Sequence, residues 1–188
     1  MVDHKRMKSQ ARQEFEAWAD SYDAHYLNHF LFRPSYRILM EELYHWRGYH
    51  GTPYDLLDIG CGSGTLITLL GATKLPVRRL VALDYAEQMC RVAREKARAH
   101  GCEHIAYVNG DSEHLPFPDA CFDVITCSNS FHHYPHQQEV VIEMRRLLRP
   151  GGRLMLIDGF RDNVVGWFVF DVCIAAVEGV VNHVPCRP

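Results

Sequence analysis

An apolar strand that carries an acid near its end and then turns through three closely spaced glycines leaves a chain few folds to choose from. Leu56-Leu57-Asp58-Ile59-Gly60-Cys61-Gly62-Ser63-Gly64-Thr65 is such a run. Glycine has no Cβ, so the backbone turns tightly and lets a ligand approach the main chain. The helix expected next presents unpaired N–H groups and the positive end of its dipole. Open α/β sheets bind nucleotide-like ligands at such places, outside the carboxyl ends of the strands.

The turn alone leaves several uses open: NAD, FAD, S-adenosylmethionine, or mere chain reversal. Its spacing is G-x-G-x-G, whereas the dinucleotide fingerprint is G-x-G-x-x-G. Counting from Gly60, the third glycine of that fingerprint would fall at Thr65, but it stands one position early at Gly64. This spacing favours S-adenosylmethionine and argues against a nicotinamide oxidoreductase.

From Tyr54 onward strands and helices alternate. Strands are predicted at 55–59, 79–84, 104–109, 122–128 and 152–158, with helices at 64–72, 86–100 and 136–148. Met89, Val92, Ala93 and Ala97 line one helical face, and Val140, Val141, Met144, Leu147 and Leu148 another. Arg149-Pro150-Gly151-Gly152 is expected to halt the second of these. Strands such as Leu80-Val81-Ala82-Leu83 are apolar throughout, as when helices cover both faces. The pattern predicts an α/β, doubly wound, Rossmann-like fold with a mainly parallel sheet. Ahead of it, residues 8–31 read as one helix, with Phe15, Trp18, Ala19 and Tyr22 on an apolar face. Pro34 is expected to open a second helix that ends near Gly48. The 188 residues then make one domain: a helical lid over 1–50, a core over 54–160 and a short apolar segment over 161–188.

A net charge of −3 gives no basic surface for nucleic acid. Seven cysteines without a C-x-x-C pair read as free thiols, and no metal motif appears. The first residues lack the apolar core of a signal peptide. The most hydrophobic stretch, Val164 to Val181, contains Asp171 and Glu178 and makes a poor bilayer span. A cytoplasmic protein is the expectation.

Polar residues recur where the strands should end. Asp84 closes the second strand, where a carboxylate accepts bonds from a ribose diol or else caps the next helix. Asp111 and Ser112 follow the third, where an acid can accept an adenine amino hydrogen or serve the turn. Met89 can pack on an adenosine or in the core. The fourth strand runs into Asn129-Ser130-Phe131-His132-His133-Tyr134, beside the transferable group of a cofactor held at the first strand. His132 and His133 are the candidate bases, although two adjacent histidines rarely point at one atom.

With these residues placed, the sequence resembles the class I S-adenosylmethionine-dependent methyltransferases, and within them the ubiquinone/menaquinone C-methyltransferase branch of small-molecule enzymes. The matching pieces are LDIGCGSG at 57–64, ALDYAEQM at 82–89, GDSEHLPFPDACFDVI at 110–125 and RRLLRPGGRLMLID at 145–158. The opening Phe15-Glu16-Ala17-Trp18-Ala19-Asp20-Ser21-Tyr22-Asp23 is similar to the family's amino-terminal helix. The resemblance implies that Asp58, Gly60, Cys61, Gly62 and Gly64 surround the methionine part of the cofactor. It implies that Asp84 takes the ribose hydroxyls and that Asp111 and Ser112 hold the adenine; Tyr85, next to Asp84, is a further candidate for cofactor binding. Ser128 would lie under the sulfonium and Tyr22 would close over the pocket. Methyl transfer to a small molecule would follow by in-line displacement, with His132 or His133 as base where the acceptor must lose a proton.

The resemblance also implies seven strands, the last antiparallel. Only 28 residues follow Phe160, so the late strands are not both available. An uncovered edge and apolar helix would then seek a partner, which points either to a homo-oligomer through this segment or to a shortened form with weakened activity. The same departure leaves room for a non-catalytic relative that binds the cofactor or S-adenosylhomocysteine and regulates a partner.

Overall fold

The computed structural model describes residues 4–21, 26–48 and 51–159. Five strands, β1 (Tyr54–Ile59), β2 (Val77–Asp84), β3 (Ala106–Asn109), β4 (Phe122–Ser128) and β5 (Leu148–Ile157), pair in parallel in the order β3-β2-β1-β4-β5. The chain winds one way from β1 to β3 and the other way from β4 to β5. The Rossmann-like sheet therefore opens a crevice between the ends of β1 and β4, where such folds bind ligands.

Strand periodicity divides the core into two layers. Leu56, Leu80, Ala82 and Val124 point to one face, against α2 (Tyr26–Arg47), α3 (Thr65–Gly71) and α4 (Glu87–Ala99) through Leu39, Leu43, Leu66, Ile67, Leu70 and Ala97. Leu57, Ile59, Val81, Leu83 and Ile125 point to the other, against Val140, Met144 and Leu147 of α5 (Gln137–Leu147). Both faces are covered, which is why these strands read as continuous apolar runs. All six residues of β1 are buried.

Two expectations need correction. The amino-terminal helices are α1 (His4–Trp18) and α2, not 8–31 followed by a helix opening at Pro34. The first stops where the Ser21 N–H bonds the Trp18 carbonyl at 2.9 Å. Pro34 lies inside α2, where it removes one backbone donor from an exposed position. Immediately beyond it, the Ser35 hydroxyl donates to the Phe32 carbonyl at 2.7 Å.

The second correction concerns Arg149-Pro150-Gly151-Gly152, which stops α5 but also belongs to β5. Leu148 already pairs with Phe122, and Arg153 pairs with Val124, so residues 149–152 loop out opposite Asp123 alone. Pro150 has no N–H for the ladder, and Gly151 adopts a φ of 78°. The excursion is anchored by Arg149, which donates to Asp123 at 2.7 Å and Asp55 at 3.0 Å. The expected late strands, and an oligomer surface after Phe160, lie outside the described residues.

Candidate functional site

The glycine turn rises from β1, and its three glycines serve different needs. Gly60, at φ 70°, leaves room for the Ser130 hydroxyl, which would stand 1.9 Å from an added Cβ. Gly64, at φ 76°, allows α4 to pack close: a Cβ there would meet the Cβ of Ala93 at 2.6 Å. Gly62, at φ 51°, has nothing within 4 Å of that direction, so its bare face looks into open space. Backbone donors at four positions of the turn are already engaged. Gly60 and Cys61 N–H groups bond the Leu83 carbonyl, Gly64 bonds Cys61, and Gly62 bonds the Asp84 carboxylate at 2.8 Å. A phosphate cradle needs such N–H groups aimed at the ligand; this turn offers a neutral, close-fitting surface instead.

Two cavities meet at Gly60, Gly62 and Asn129. The larger, about 800 Å³ counting its open mouth, is lined by Asp84, Tyr85 and Met89 after β2, Asp111 and Ser112 after β3, and Ser130, His133 and Tyr134 after β4. The smaller, about 380 Å³, lies between α2 and the turn, among Phe32, Tyr36, Asp58, Cys61, Leu66 and Ser128. Their polar and apolar mixture and their place at the switch point are those of a small-molecule site.

Asp58 is 2% exposed and accepts from the Thr126 hydroxyl at 2.7 Å. Burial pushes its pKa up to about 7, against the pull of Thr126 and with help from the nearby Asp84 charge. Burial likewise lifts Asp84 to about 6, although backbone N–H groups of Ala86 and Gly62 favour its ionised form. The hydrogen bond to Cys90 and burial push the Cys61 thiol well above its ordinary range, which favours its protonated form.

Asn129 holds the divide between the cavities. It adopts a left-handed φ of 54° and donates to Ser35 at 2.7 Å and Ser128 at 3.0 Å, tying α2 to the end of β4. Strained non-glycine residues of this kind collect at binding sites.

The histidines part company. His133 lines the larger cavity and packs edge-on against Phe15 at 5.0 Å. His132 is buried, and the Asp158 carboxylate at the end of β5 grips both its Nδ1 at 2.6 Å and its backbone N–H at 2.9 Å. Asp58, Gly60, Cys61, Gly62, Asp84, Tyr85, Met89, Asp111, Ser112 and Ser128 all border one cavity or the other. Gly64 borders neither. Tyr22 lies outside the described residues.

An amino-terminal helical lid was expected, but not that Lys8, Ala11 and Arg12 of α1 face the cavity. Lys8, Ala11, Arg12 and Phe15 line the larger cavity at the i, i+3, i+4, i+7 spacing of one helical face. That periodicity was available, but two cations on the stripe hide it from a search for apolar faces. Glu16, on the same helix, accepts from the Glu87 and Gln88 N–H groups at the start of α4.

The chain is similar to several proteins named as methyltransferases. Demethylmenaquinone methyltransferase of Listeria welshimeri is 33% identical over 113 residues, which are 60% of this chain and 48% of that protein. The solved YcgJ protein of Bacillus subtilis is 31% identical with a TM-score of 0.60, over 71% of this chain and 55% of that one. A solved candidate S-adenosyl-L-methionine-dependent methyltransferase of Methanococcus maripaludis is 25% identical with a TM-score of 0.66, over 89% and 76%. The chain spans about half the length of the curated relatives it matches. None of the described helices is long and apolar enough to cross a membrane. The model of the methyltransferase domain matches residues 57–156, from the last apolar residues before the glycine turn to the end of β5, and the chain belongs to that family.

Proposed function

We propose that this chain is an S-adenosyl-L-methionine-dependent methyltransferase acting on a small-molecule acceptor. The observation that carries the proposal is the ring of acids at successive strand ends, Asp58, Asp84 and Asp111, around a glycine turn in which the N–H groups of Gly60, Cys61, Gly62 and Gly64 are already bonded. Such a site suits a ligand with a diol, an amino-purine and a positive centre better than a pyrophosphate. The open face of Gly62 is the cradle that the cofactor would fill.

Asp84 would accept the ribose hydroxyls, and Asp111 with Ser112 would hold the adenine edge. Tyr85 and Met89 would cover the purine. Asp58, Gly60, Cys61, Gly62 and Ser128 would border the amino-acid end. When bound, the cofactor supplies a methyl group on a positively charged sulfur, which needs no further activation. The protein's part is alignment, and orientation is worth about 7–11 kcal/mol in favourable cases. His133, which faces the cavity, is the candidate to accept a proton from an acceptor that must lose one; His132 is fixed by Asp158. The aromatic pair Phe32 and Tyr36 in the smaller cavity, and relatives named for a menaquinone precursor, favour a flat apolar acceptor.

Titration calorimetry tests the reading. S-adenosylhomocysteine should bind and NADH should not. Affinity should rise with pH through about 6 as Asp84 ionises. Asp84→Asn should weaken binding by about tenfold or more, since hydrogen bonds to charged groups are worth about 1.5–3 kcal/mol, and should flatten that pH dependence. NADH binding in place of S-adenosylhomocysteine would sink the proposal.

A further inference from the structure

The acid assigned to the adenine edge is already engaged by the protein itself. The Lys8 ammonium, projecting from α1, lies 2.6 and 2.5 Å from the two Asp111 oxygens and 2.9 Å from Glu113. An ammonium has three N–H donors and no acceptor, so these contacts use all three. Asp111 Oδ1 also receives the Glu113 N–H at 2.9 Å. A carboxylate offers about four lone-pair directions, which leaves one, on Oδ2. Nearby, Lys8 and Arg12 stand 5.4 and 5.3 Å from the centre of the Tyr85 ring. Both the acidic edge and the aromatic side of the cavity are therefore met by cations of one helix.

These are the contacts an aminopurine would make: an N–H donor at Asp111 and a partner for Tyr85. We infer that α1 is a displaceable plug, with Lys8 a built-in competitor for the adenine site. This rests on the function proposed above and adds the regulation of that site. An amino group that takes the one remaining lone pair on Oδ2 lies beside the Lys8 ammonium, donor against donor, so affinity reports a competition between the ligand's amino group and the side chain for that oxygen. Burial alone would lower the Lys8 pKa, but the bonds to Asp111 and Glu113 outweigh it and raise it. The ammonium is thus charged wherever the site operates.

The test is calorimetry of the full chain with S-adenosylhomocysteine, wild type against Lys8→Met. Lys8→Gln serves as a second variant, and thermal melts check folding. Removing the competitor should tighten binding about tenfold, the equivalent of about 1.4 kcal/mol. Added salt screens charge pairs, so raising it from low to physiological strength should tighten wild-type binding relative to Lys8→Met. Unchanged or weaker binding by both variants, with wild type still binding, would overturn the plug and make Lys8 a latch or a bystander. The proposed function would survive that result. No binding by wild type or variants overturns both.

Discussion

Asp58 and Asp84 do work that opposes stability. Each has a folded pKa raised above the ordinary 3.8, to about 7 and about 6. A group of this kind binds its proton more tightly when folded. Its contribution is therefore fully present below about pH 4 and is lost as pH rises through the folded value. Asp58→Asn should stabilise the protein at pH 8 by on the order of 2–4 kcal/mol and do little at pH 4.5. Urea unfolding at the two pH values measures this; an equal loss at both would mean that Asp58 acts through its bond to Thr126 rather than through buried charge. The acids were visible in the sequence because they end apolar strands. Lys8 was not, because its partner Asp111 lies 103 positions away and nothing local links them. Likewise, two adjacent histidines look equivalent in the sequence, and only the end of β5, with Asp158, separates them.

Elements were read more faithfully than side-chain partners. The expected 86–100 helix is Glu87–Ala99, and the expected 122–128 strand is Phe122–Ser128, because continuous apolar runs and helical stripes are local signals. The misjudged places are those where a local breaker is overruled from a distance. Pro34 does not start α2, since the turns on both sides of it are helical. The Pro-Gly-Gly run is drawn into β5 by Arg149's bonds to Asp55 and Asp123. Gly64 gives a test at this scale. Gly64→Ala meets both a left-handed φ of 76° and the Cβ of Ala93 at 2.6 Å; overpacking of this kind costs about 1–3 kcal/mol. Ala93→Gly in the same chain should relieve the clash but not the backbone strain. A double-mutant cycle should then show a favourable coupling of about 0.5–3 kcal/mol. Additive losses would show that α4 simply moves away.

At the scale of the molecule, the doubly wound order gathers residues from α1, α2 and the ends of four strands at one rim. Topology of this sort was foreseeable from strand–helix alternation and right-handed crossovers. How α1 lies across that rim was not, because its contacts are with chain far downstream. The central placement of β1 carries one more consequence. Its backbone is flanked by β2 and β4 and its side chains are all buried, so its amides can meet solvent only when the whole domain opens. Deuterium uptake should therefore be slowest at Leu56–Asp58 and should track global stability in denaturant, while α1 exchanges by local detachment. Equal protection of both would contradict this. The floor of the cavity would then be the most persistent part of the protein and its roof among the most fleeting, a gradient of permanence only a cavity's width across.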